Sequence, residues 1–149
     1  MNDLELSHIA LVCPDLSEAL VSLGRLGLTP TLRKQVPAEG VEVAFLPLGV
    51  ARSFRLEVVV PQRSAAEAAG VRRFLEKHKK GALHHLCFET GNLENTVRDL
   101  VQKGATFIEP VVRDGARGRV AFLHPQCTAG VLVELEERLE DLSLGPKRV

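Results

Sequence analysis

The chain carries its own pattern twice. The tetrapeptide Val43-Ala44-Phe45-Leu46 returns as Val120-Ala121-Phe122-Leu123, a shift of 77 residues from 43 to 120. The same shift takes Leu6 to Leu83, His8 to His85, Leu16 to Leu93, Leu23 to Leu100, Gly27 to Gly104 and Glu57 to Glu134. Identities spread along the chain at one fixed offset mark a duplicated module rather than a chance tetrapeptide. In 149 residues two such halves have to share a core, because neither is large enough to bury much apolar surface alone.

Each half reads as the same string of elements. Leu6 to Val12 and Leu83 to Phe88 are apolar strands interrupted by polar residues. Cys13-Pro14-Asp15 stops the first strand, and Asp15 caps a helix to about Leu26 with Leu16, Ala19, Leu20 and Leu23 as its apolar stripe. The matching helix starts after Asn92, turns Leu93, Val97 and Leu100 inward, and stops at Gly104. Strands follow at Val41 to Leu46 and Phe54 to Val60, and again at Arg119 to Leu123 and Gly130 to Leu135. A weaker strand signal precedes each pair, near Thr29 to Lys34 and Thr106 to Val111. The expectation is an α+β fold of two tandem βαβββ modules in a single domain, the modules spanning about 4–61 and 82–136. A helical connection covers 62–81 and a charged, fraying tail 137–149.

Composition narrows the function classes. Lys+Arg and Asp+Glu both total 19, so no basic excess points to nucleic acid or a membrane surface. No apolar run approaches the roughly 20 residues of a bilayer span, and the acidic N-terminal stretch is unlike a signal peptide. Three cysteines, Cys13, Cys87 and Cys127, have neither the even count nor the spacing of a disulfide framework, which fits a reduced, cytoplasmic setting. The absence of Tyr and Trp leaves an aliphatic core and excludes any mechanism that needs a tyrosine. The cluster Lys77, His78, Lys79, Lys80 reads as a solvated helix end favoured by the helix dipole, with a phosphate contact as the sharper alternative.

Four residues are polar exceptions within matched apolar strands. His8 and His85 lie in the first strand of each module, and Glu57 and Glu134 in the last, each 49 residues beyond its histidine (8 to 57, 85 to 134). An ionised carboxylate on the inward face of a strand is costly unless paired or bound to metal. Two imidazoles and two carboxylates form an N2O2 set suited to Zn, Co, Mn, Ni or Fe, and on an octahedral ion leave two positions for a bidentate substrate. Strand alternation leaves a second reading open, with either glutamate facing water and paired with Arg55 or a lysine.

These residues sit within a more specific set of segments. They include His8-Ile9-Ala10 with Pro14-Asp15-Leu16, Val36-Pro37-Ala38-Glu39-Gly40-Val41 leading into Val43 to Gly49, and Gly81-Ala82-Leu83-His84-His85. Gly115-Ala116-Arg117-Gly118, Val120 to Pro125 and Gly130 to Leu135 complete it. The set resembles the methylmalonyl-CoA epimerase family of the vicinal-oxygen-chelate (glyoxalase and bleomycin-resistance) superfamily, over nearly the whole stretch from His8 to Leu135. The resemblance implies a divalent metal held by His8, His85 and Glu134, with Glu57 where the family has Glu or Gln. It also implies an isomerase that interconverts (R)- and (S)-methylmalonyl-CoA, usually as a homodimer. Two departures bear on the substrate pocket: the first helix lacks the family's aromatic pair, and the hairpin from Gly49 to Glu57 is altered at Ala51 to Phe54.

Epimerising a carbon beside a thioester needs a proton removed from one face and returned to the other, with the enolate charge stabilised meanwhile. Glu134 and Glu42 are the expected bases, Glu42 because it alternates with Val41 and Val43 close to where the resemblance places one. Arg113, Arg117 and Arg119 are the expected contacts for the phosphates of an acyl-CoA partner. Two other functions compete: a glyoxalase-type lyase acting on a glutathione hemithioacetal, and a metal-free, drug-sequestering binding protein. A dioxygenase is disfavoured by the missing tyrosine, and a drug binder by the intact ligand set and the scarcity of aromatics.

Overall fold

A computed structural model describes residues 4–50 and 54–138. The expected hairpin change at 51–53 and most of the charged tail, 139–149, lie outside the described residues. Eight strands form one mixed sheet: β1 Glu5–Val12, β2 Leu32–Val36, β3 Val41–Leu48, β4 Phe54–Pro61, β5 Ala82–Thr90, β6 Arg113–Asp114, β7 Arg119–Leu123 and β8 Leu132–Glu137. Their order is β2-β3-β4-β1-β5-β8-β7-β6. The repeat explains that order. β1 pairs parallel with β4 and β5 parallel with β8, while β1 and β5 join the halves in antiparallel fashion.

The helices are α1 Leu16–Gly24, α2 Ala69–Lys77 and α3 Leu93–Gln102. Asp15 caps α1 by accepting from the Glu18 amide at 2.7 Å, and Asn92 caps α3 by accepting from Asn95 at 2.9 Å. Leu16 packs on Ala44, Leu46 and Val58, and Leu93 packs on Ala121, Leu123 and Leu135. All four members of the second set are the first displaced by 77 residues. The outer face of the sheet is thus the same core built twice.

The other face is not symmetric. In the first module it carries Ala10, Val12, Val36, Val41, Val43, Phe45 and Val59, and α2 covers it with Val71, Phe74 and Leu75. The second module places Cys87, Glu89, Arg113 and Glu136 where the first has Ala10, Val12, Val36 and Val59.

Three local expectations differ from the structure. The weak strand near Thr29 to Lys34 forms later, at β2. Its counterpart near Thr106 to Val111 does not form as a ladder: only Phe107 bridges to Leu123, and pairing resumes at β6. Pro110 has no amide proton to donate there. The tail was expected to fray from 137 onward, yet β8 continues through Glu137, whose carboxylate takes Arg119, and Arg138 donates its amide to Thr90. Among the described residues no helix is long and apolar enough to cross a membrane. Cys13, Cys87 and Cys127 are all free thiols.

Candidate metal centre and active site

His8 and His85 face each other across the β1–β5 seam, with ring centroids 5.6 Å apart. Register delivers the carboxylates: Glu57 on β4 pairs with Ala10, and Glu134 on β8 pairs with Cys87. All four residues are buried. His8 Nε2 lies 3.2 Å from Glu57 Oε2 and 3.4 Å from Glu134 Oε2. His85 Nε2 lies 3.4 Å from Glu57 Oε2 and 2.7 Å from Glu134 Oε2. The repeated phenylalanines hold the rings: Phe45 meets His8 edge-on at 5.5 Å, and Phe122 meets His85 the same way at 5.6 Å. The twice-written Val-Ala-Phe-Leu therefore supplies each module with an outer-core alanine and leucine and an inward phenylalanine against the histidine.

The donor set fits a divalent ion. Atoms about 2.1 Å from one ion and adjacent in its coordination sphere lie about 3.0–3.4 Å from each other, and the separations here run from 2.7 to 3.4 Å. Both Nε2 atoms are buried without a directed hydrogen bond despite those short distances. Electrostatics agree. Burial opposes charge on both imidazoles, but Glu134 and Glu57 outweigh it and push His8 up to about 9 and His85 up to about 10. Burial likewise opposes charge on the glutamates, and the imidazoles hold both below the usual carboxylate range. A divalent cation would take the place of those protons.

Beside the four residues lies a cavity of about 50 Å³ with valine walls, Val36, Val41, Val43, Val59 and Val71. Glu39, His84, Gly115 and Ala116 also line it. Glu39 is the residue that sequence reasoning missed. It sits in the turn between β2 and β3, where its amide donates to Val36 at 3.1 Å and Gly40 follows with φ 64°. A Cβ on Gly40 would come within 2.6 Å of the Ala65 Cβ, so only glycine lets the turn lie this close to the chain beyond β4. Burial raises the Glu39 carboxyl above its ordinary range, although Arg113 pairs with it at 2.8 Å. The signal was present in Val36-Pro37-Ala38-Glu39-Gly40, an acid in a Pro–Gly turn just before a cavity strand.

Glu42 does not join this group. Val41 and Val43 face the cavity, so alternation turns Glu42 to the other side, where it pairs with Arg33 at 3.1 Å. The three arginines expected at phosphates are each engaged by carboxylates. Arg113 holds Glu39, Arg117 bridges Glu89 and Glu136, and Arg119 grips Glu137 and Glu94. His84 lines the cavity, and burial together with the neighbouring His85 pushes it down to about 4, so it is neutral. Burial pushes the Cys87 thiol up, which removes it as a nucleophile at ordinary pH.

Comparison with known proteins accords with this geometry. A profile of the glyoxalase/bleomycin resistance protein/dioxygenase superfamily matches residues 7–122. The mitochondrial methylmalonyl-CoA epimerase of Homo sapiens is 37% identical over 134 residues, covering 89% of this chain and 73% of that protein. The ethylmalonyl-CoA/methylmalonyl-CoA epimerase of Cereibacter sphaeroides is 34% identical, covering 89% and 96%. A solved methylmalonyl-CoA epimerase in complex with methylmalonyl-CoA and ammonium superposes with a TM-score of 0.79 at 27% identity, covering 92% and 96%. The duplicated modules, the shared sheet and these matches together place the chain in the methylmalonyl-CoA epimerase family of the glyoxalase/bleomycin resistance protein/dioxygenase superfamily.

Proposed function

We propose that the chain is a divalent-metal-dependent isomerase interconverting (R)- and (S)-methylmalonyl-CoA, with His8, Glu57, His85 and Glu134 holding the ion. The observation that carries this reading is the convergence of two buried imidazole Nε2 atoms on two buried carboxylates, at 2.7 to 3.4 Å, beside a valine-walled cavity. The bound ion would act as a Lewis acid for negative charge developing on the thioester oxygen. The chain's own residues do the rest. Valine walls accept the methyl-bearing carbon and exclude water. Glu39, its carboxyl raised by burial, exchanges a proton with that carbon on one face. Glu134, which lines the same cavity, is proposed to serve the other face. The single domain, a cytoplasmic location and a homodimeric state belong to the same reading, with sedimentation as the check on the last.

The test is incubation with (S)-methylmalonyl-CoA in deuterated water, following the α-proton by NMR, beside a glutathione hemithioacetal control. Deuterium uptake and racemisation that stop on adding chelator support the reading. Turnover of the hemithioacetal alone would replace it with the lyase.

A further inference from the structure

We propose that Ser7 and His84 are paired positioning residues that hold the two metal-facing histidines in one ring orientation and one tautomer, with the proton on Nδ1. The inference rests on the metal reading above, and it begins in the β1–β5 ladder. Register there passes from Leu6↔Phe88 to His8↔Cys87, leaving Ser7 as an extra residue, and from Ala10↔His85 to Leu11↔Leu83, leaving His84 as another. The two bulges are images of one another, since the 77-residue shift carries Ser7 to His84. In a regular strand each would point away from the histidine beside it. A bulge re-aims the side chain.

Both side chains arrive at the same atom of their neighbour. Ser7 Oγ lies 3.2 Å from His8 Nδ1, and His84 Nδ1 lies 2.9 Å from His85 Nδ1. An imidazole that offers the Nε2 lone pair to an ion carries its proton on Nδ1, so each neighbour has to accept it. Ser7 can do so within its capacity of two lone pairs and one proton. It accepts from His8 and from Arg55 Nη2 at 2.7 Å, and its own proton reaches Glu136 Oε1 at 3.4 Å. Arg117 Nη1, 3.5 Å from the hydroxyl, makes its shorter bond to Glu136 at 2.8 Å. The result is an imidazole–hydroxyl–carboxylate chain whose last member is buried and fixed by Arg117 at 2.8 Å. His84 accepts with a ring nitrogen instead, and Phe74 holds that ring at right angles with centroids 4.8 Å apart. Unlike residues occupy matched bulges and meet the same atom of each histidine.

The test uses the full chain labelled with 15N-histidine and loaded with zinc. The expected result is two slowly exchanging ring N–H signals, from His8 and His85. Ser7→Ala should expose the first to solvent exchange and weaken zinc binding about 10–100-fold, while Ser7→Thr, which keeps the hydroxyl, should restore both. His84→Phe should do the same to the second signal, and His84→Asn, with an amide oxygen near the lost Nδ1, should recover it. Wild-type affinity and both protected signals in Ser7→Ala and His84→Phe would overturn the inference while leaving the metal reading intact. Equal zinc loss in Ser7→Ala and Ser7→Thr would also overturn it, by showing that packing alone is disturbed. A parent protein that holds no zinc, cobalt or manganese would instead sink the metal reading, and this inference with it.

Discussion

Three positions separate Glu39 from Glu42, yet only Glu39 reaches the cavity, and the two make opposite predictions. Glu39→Gln keeps shape but cannot take a proton, so epimerisation should fall by about 10²–10⁴-fold with metal content unchanged. Glu42→Gln removes one partner of an ion pair outside the cavity and should epimerise at the parental rate. Steady-state kinetics with metal analysis on both variants decides it, and the reverse ranking would return the base to Glu42. The imidazoles make a prediction about pH. His8 and His85 bind protons more tightly in the fold than at their ordinary 6.5, at about 9 and about 10. In chelator-treated protein their contacts with Glu57 and Glu134 are therefore fully present below about pH 6.5 and lost as pH rises through 9 to 10. On the acid side the same contacts fade as pH falls below the ordinary carboxylate range, because both glutamates are depressed. Thermal melts from pH 5 to 10 should show an alkaline decline that divalent metal abolishes. A flat profile without metal would remove the buried imidazolium–carboxylate cluster.

At the scale of elements, duplication predicts matched costs. Asp15→Ala and Asn92→Ala each remove the side chain that accepts from the third amide beyond it, and each should destabilise by about 1 kcal/mol. Leu16→Ala and Leu93→Ala empty equivalent buried sites and should each cost about 2–5 kcal/mol. Urea titrations of the four variants check the pairing; strongly unequal costs within a pair would mean the two outer cores are not energetic equivalents. The offset that predicts these pairs is also what made the fold readable from sequence. It aligned Glu57 with Glu134 and His8 with His85, and a strand residue that is polar twice in matched apolar surroundings is hard to assign to solvent. Features that break regular alternation were not readable. Ser7 and His84 face inward only because a bulge adds a residue, and Glu39 does so because a turn carries it, and neither follows from a period of two. The end of the last strand was placed too early for a related reason. Glu136 and Glu137 look like surface charges until Arg117 and Arg119 arrive from a distant hairpin.

In the whole molecule, symmetry builds the metal centre and asymmetry builds the pocket. Each module contributes one histidine, one glutamate and one phenylalanine, so the centre lies on the seam between the halves. The cavity lies to one side because inward positions that are valine in the first half are charged in the second. Val36 and Val59 correspond to Arg113 and Glu136, and the charged residues are bound up in ion pairs. The cavity opens to solvent between α2 on one side and the loop before β7, Gly115 and Ala116, on the other. An acyl thioester bearing its own carboxylate has to lie against one of these walls. The strands β1 and β5 are fixed by ladders on both sides, whereas α2 has no fully buried residue and rests on Val71, Phe74 and Leu75, with Arg72 donating to the Gln62 carbonyl at 3.1 Å. Few buried apolar contacts mean a low free energy of local opening. In metal-loaded protein, amides of α2 should therefore exchange faster than those of β1 and β5, and methylmalonyl-CoA should slow them while coenzyme A without the acyl group does so less. Protection appearing instead at Gly115 to Gly118, with α2 unchanged, would identify the loop before β7 as the wall that meets the acyl group.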